Sequence, residues 1–94
     1  MKRAALLLVF LTGACAATPT PTRDELARAL RPFDAAPAAS TDITHIACKS
    51  LEADPTEYFC RWRQRDGREW HGWQSYLALS GSGWQLIDGP ERTP

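Results

Sequence analysis

Residues 57–79 read EYFCRWRQRDGREWHGWQSYLAL, the clearest structural pattern in the chain. Aromatic and aliphatic side chains alternate with polar ones on both sides of Asp66-Gly67. A period of two marks a half-buried strand, and an Asp-Gly pair between two such runs is a strong hairpin signal. The stretch therefore reads as two antiparallel strands, Glu57–Arg65 and Glu69–Leu79. A two-residue Asp66-Gly67 turn sets Arg65 opposite Arg68, Arg63 opposite Trp70, Trp62 opposite His71 and Cys60 opposite Trp73.

Further along, Gly81-Ser82 fits a second two-residue turn with glycine first. It leads into a strand Trp84–Asp88 and sets Leu79 opposite Trp84 and Leu77 opposite Leu86. Upstream, Glu52–Thr56 is a looser connection from a strand Ile43–Leu51. With Cys48 facing Cys60, Ile46 faces Trp62 and Ser50 faces Tyr58. Side chains alternate across a sheet. These turns therefore gather Ile46, Cys48, Tyr58, Cys60, Trp62, Trp73, Leu77, Leu79, Trp84 and Leu86 on one apolar face. The opposite face carries His45, Lys49, Phe59, Arg61, Arg63, Arg65, Trp70, Gln74 and Tyr76.

Before the strands, Asp34–Thr41 is rich in Ala, Pro and Ser and reads as a loop. A short helix precedes it. Thr22 with Glu25 three residues later makes a capping box, and Asp24 and Glu25 suit the positive end of the helix dipole. Leu26 and Leu30 form an apolar stripe with Phe33 on the same side, and Pro32 stops the helix. A helix this short forms because its stripe packs on something else. The expected fold is α+β: a short N-terminal helix packed on the apolar face of a four-stranded antiparallel β-meander. In topology alone, a helix followed by a meander loosely resembles cystatin-like folds.

The first residues carry an address. A positive start, Met1-Lys2-Arg3, precedes an apolar run from Ala4 to Leu11 and the small residues Thr12-Gly13-Ala14. That order is the pattern of an export signal. The stretch Leu11-Thr12-Gly13-Ala14-Cys15 resembles the lipobox of bacterial lipoproteins, with Thr12 where that family more often has leucine. The resemblance implies that residues 1–14 are a signal peptide. Cys15 is then lipidated, with palmitate among the acyl chains expected, and residues 15–21 form a Thr/Pro tether to a domain spanning 22–94. The alternative is an ordinary secretory signal with Ala14-Cys15-Ala16 as its cut site. The apolar run is well short of the ~20 residues needed to span a bilayer. Export places Cys48 and Cys60 in an oxidising compartment, where a disulfide is the default. The lipoprotein resemblance also implies a periplasm-facing position in the bacterial cell envelope. Ala16, in place of an inner-membrane-retaining aspartate, favours the outer membrane in a Gram-negative cell.

The chain has 94 residues with 11 basic and 11 acidic side chains. Without Lys2 and Arg3 the acids exceed the bases, which argues against a nucleic-acid partner. A mature form of about 80 residues is small enough to need a staple such as a disulfide. No serine sits in a nucleophile elbow, Cys48 and Cys60 are not a C-x-x-C pair, and there is no glycine-rich phosphate loop. His45 and His71 fall on different faces and lack zinc-ligand spacing. No metal, cofactor or catalysis is expected. The candidate binding face is Lys49, Arg61, Arg63, Arg65, Trp70 and Tyr76, since arginines among aromatics suit phosphates, carboxylates and sugar rings. The functional expectation is a non-catalytic, membrane-anchored binding or accessory module. Its partner would be an envelope protein or an anionic envelope glycan or lipid. The alternatives are an inhibitor of a secreted or periplasmic hydrolase, such as a lysozyme, and an assembly or stabilising factor of an envelope complex.

Overall fold

The computed structural model describes residues 18–94; the signal, the lipobox and Cys15 lie outside the described residues. Helix α1 spans Arg23–Leu30. Its capping box forms as the sequence requires: Glu25 N donates to Thr22 Oγ1 at 3.1 Å, and Thr22 N donates to Glu25 Oε1 at 2.9 Å. Leu26, Ala27, Ala29 and Leu30 are buried. The chain then tightens into a 3₁₀ turn, Arg31–Phe33, and reverses at Asp34 in the left-handed region (φ 57°). This turn carries Phe33 away from the leucine stripe, so Phe33 is 39% exposed and lies outside the core.

Four strands follow: β1 Ile43–Ser50, β2 Glu57–Asp66, β3 Glu69–Ser80 and β4 Gly83–Leu86. They pair antiparallel in meander order. A two-residue strand, β5 Glu91–Arg92, pairs with β3 beyond the end of β4. The expected strand Trp84–Asp88 thus stops at Leu86. Pairing resumes two residues out of step, from Leu77 opposite Leu86 to Trp73 opposite Arg92. Pro90 lies in the gap; without an N–H, proline cannot continue a ladder.

The β2–β3 hairpin turns one residue later than its composition suggests. Asp66 pairs with Glu69, so the turn residues are Gly67 and Arg68. Gly67 at φ 67° supplies the positive φ that a tight hairpin needs at its first central position. The register therefore slips by two from expectation. Trp62 faces Trp73, Cys60 faces Ser75, and Arg65, not Arg63, faces Trp70. A slip of two preserves every side chain's face. The expected apolar face accordingly survives the register error. Tyr58, Cys60, Trp62, Leu77 and Leu86 are buried, with Trp73, Leu79 and Trp84 packed against them. The β3–β4 register is as expected.

The β1–β2 pair departs differently. Cys48 faces Cys60 and Ser50 faces Tyr58 as expected, but Thr44 pairs with Arg63 and Ala47 with Arg61. Two residues, His45 and Ile46, therefore oppose Trp62, which is a β-bulge. His45 takes up the extra residue with φ 55°. Unlike the hairpin slip, this one-residue offset inverts the pattern before it. It turns Ile43 from the outer face to the core, where it is 0% exposed. Leu26, Leu30, Ile43, Trp62 and Leu77 belong to a single apolar cluster, with α1 against β4 and β1. Cys48 and Cys60 are joined by a disulfide across this pair, with Cα atoms 4.1 Å apart. Closing a loop of this length is worth about 3 kcal/mol in the chain-entropy model.

Candidate functional site

Pleating and register together place the outer side chains in rows across the strands. One row runs Lys49–Phe59–Tyr76, with Ile87 N bonded to Tyr76 O at 2.9 Å. The next runs Ala47–Arg61–Gln74–Glu91, and the third Thr44–Arg63–Gly72. Arg65 and Trp70 close the far end.

Each row has its own chemistry. Phe59 and Tyr76 lie with ring centroids 5.0 Å apart, and the Lys49 ammonium is 6.0 Å from the Phe59 ring. Tyr76 stays 46% exposed. Arg63 donates to the Trp70 carbonyl at 3.3 Å, a backbone contact that leaves its charge unpaired. The arginine opposite Trp70 changes with the register, from Arg63 to Arg65. The Arg65 guanidinium sits 5.4 Å from the Trp70 ring, and Arg65 also bonds Asp42 Oδ1 through Nε (3.1 Å) and Nη2 (2.8 Å). Arg65 is thus already engaged. Among the described residues, Lys49, Arg61 and Arg63 have no carboxylate partner. Trp70 is 38% exposed beside them. The structure therefore brings the six expected face residues to one side of the sheet, but divides them: Arg65 is spent on Asp42, while Lys49, Arg61 and Arg63 are free to meet an anion.

Between the rows are shallow depressions. One, of about 370 Å³, is lined by His45, Arg61, Arg63, Gly72 and the C-terminal Thr93 and Pro94. Thr93 N bonds Gly72 O at 2.9 Å, and its side chain occupies the space that a Cβ on residue 72 would need. A second depression is lined by Arg23, Thr41, Thr44, His45, Arg63 and Trp70. Arg23 and Thr93 were not legible as members of this face. Each reaches it from an element that the strand pattern does not describe.

A separate cluster sits on the inner side of the sheet. The Arg92 guanidinium lies 5.4 Å from the Trp73 ring and donates Nη2–H to His71 Nδ1 at 2.8 Å. An arginine only donates, so His71 Nδ1 is the acceptor. His71 Nε2 lies 3.5 Å from Glu69 Oε1. No signal for this cluster exists in the strand pattern, because it depends on β5. Among the described residues, no three or more His, Cys, Asp or Glu side chains converge as metal ligands would. In the β1–β2 connection, Asp54 Oδ1 accepts from Thr56 Oγ1 (2.7 Å) and Thr56 N (3.0 Å). These bonds hold the Asp54 carboxyl below its ordinary pKa. Partial desolvation, and then the Asp54 charge, push Glu57 above its own.

Compared with known proteins, the chain matches no family model, no curated protein and no solved structure.

Proposed function

We propose that this chain is a non-catalytic module of the bacterial cell envelope. A lipid on Cys15 anchors it, and the arginine–aromatic face of its sheet contacts a partner. The sequence resemblance at Leu11–Cys15 supports the anchor, and Ala16 supports the outer membrane as its site. One observation carries the binding role: Lys49, Arg61 and Arg63 are held in adjacent rows, without carboxylates, beside exposed Trp70 and Tyr76. The other face is consumed by the core, so this side of the sheet is the one left to meet a partner. Three of the soft groups have structural uses. Cys48 and Cys60 are bonded to each other, and His71 is engaged by Arg92.

The test is a comparison of the wild-type chain with the Arg61→Glu/Arg63→Glu variant as bait for solubilised envelope components. Both sites are exposed on strands and the fold does not depend on them, which circular dichroism checks. The variant should lose the components that the wild type retains. Equal recovery by both would overturn this surface as the contact.

A further inference from the structure

The partner of the arginine–aromatic face follows from where the tether joins the domain. Pro21 is buried and Thr22 caps α1, so the chain is fixed to the domain at that point. Arg23, the next residue, lines one depression with Thr44, His45, Arg63 and Trp70. The junction therefore lies beside the cationic face and not at the opposite end of the molecule. From Cys15 to Pro21 the chain makes six residue-to-residue steps, and an extended segment of that length reaches at most about 20 Å. A domain of this size has a radius of gyration of about 11–12 Å, so the tether is no longer than the domain is wide. A lipid on Cys15 would hold the edge carrying Arg23, Arg63 and Trp70 close to the bilayer.

We infer that this face lies on an anionic lipid surface, with Lys49, Arg61 and Arg63 meeting phosphate-bearing headgroups and Trp70 and Tyr76 seated at the interface. Guanidinium groups pair with phosphate in a fork that an ammonium lacks. Tryptophan and tyrosine favour the headgroup level because each has an apolar body and a polar tip. Each unpaired cation at such a surface is worth about a five-fold gain in association. Neutralising Arg61 and Arg63 should therefore lower the ratio of membrane-apposed to unapposed molecules by about 25-fold. The inference rests on the anchored reading above and names the partner for that same face.

The test uses the full chain extracted from envelopes and reconstituted into vesicles of phosphatidylcholine, with or without phosphatidylglycerol. Flotation reports anchoring, and quenching by brominated lipid reports apposition. Trp70 is the tryptophan of the outer face; Trp62, Trp73 and Trp84 point to the inner one. The expected result is flotation with both vesicle types and quenching that requires phosphatidylglycerol. That quenching should disappear in Trp70→Phe, in Arg61→Gln/Arg63→Gln and in high salt. Flotation with both vesicle types but equal quenching in both overturns the docking and leaves the anchor standing. Flotation only with phosphatidylglycerol supports the docking and refutes the anchor. Absence of quenching together with retention on purified peptidoglycan overturns the lipid surface in favour of a glycan.

Discussion

Replacing Ile43 tests whether the bulge at His45 and Ile46 exists. On an unbroken β1, counting from the Cys48–Cys60 pair, Ile43 would point outward with Lys49 and Arg61. The observed register turns it inward, where it is 0% exposed and packs with Leu26, Leu30 and Trp62. The two placements give different energies. A fully buried isoleucine cut to alanine costs about 2–5 kcal/mol, and cut to valine about 0.5–1.5 kcal/mol. The same changes on an exposed strand face fall within about 0.5 kcal/mol. A domain this small has a total stability near the low end of about 5–15 kcal/mol, so Ile43→Ala removes much of it. Ile43→Val is the quantitative probe, because at about 1 kcal/mol it lowers Tm by roughly 4–8 °C. Thermal unfolding followed by circular dichroism reads both variants under non-reducing conditions. Wild-type Tm values for both would refute the inward placement and with it the bulge.

Four other outcomes rest on contacts elsewhere in the domain. His45→Gly should raise stability by up to about 1 kcal/mol in denaturant titrations, since His45 holds a φ of 55° that glycine adopts freely. Gly72→Ala should displace the Thr93 side chain, which the added methyl group meets; faster amide exchange at Thr93 would show β5 loosening, and unchanged exchange would count against the contact. Reduction of Cys48–Cys60 should lower stability by about 3 kcal/mol, read from the denaturant midpoint with and without reductant. For pH, Asp54 has a depressed folded pKa, so its contribution is present above the ordinary carboxylate pKa and fades as pH falls through the folded value. Glu57 has a raised folded pKa, so its contribution is present in acid and fades as pH rises through that value. Asp54→Ala should flatten the acid limb of stability and move the Glu57 carboxyl, followed by NMR, back toward its ordinary range.

The contrast between Trp62 and Ile43 shows how far the sequence could be read. Asp66-Gly67 announces a hairpin but leaves open which two residues are central. The resulting slip of two moved Trp62 from His71 to Trp73 without moving it off the core face. A period-two pattern is immune to that error. An offset of one is different, since it inverts a strand. Ile43, Ile46 and Cys48 do not share a parity, and that break in alternation was the available sign of a bulge. The capping box at Thr22 and Glu25 was fully local, hence fully legible. The membership of the candidate face was legible for the same reason as the core: it is the other parity of the same strands. Its pairings were not. The pairing of Trp70 with Arg65 in place of Arg63, and the engagement of Arg65 by Asp42, depend on register and on a loop. The Arg92–His71 contact and the arrival of Thr93 depend on β5, which resumes only after Pro90 has broken the edge strand.

Intact-mass analysis of the chain extracted from envelope membranes probes the anchored account at its root. A lipid-anchored chain begins at Cys15, heavier than that sequence by its acyl groups and lighter by the two hydrogens of one disulfide. A soluble chain with an unmodified Cys15 thiol, or one cut at another position, would contradict it.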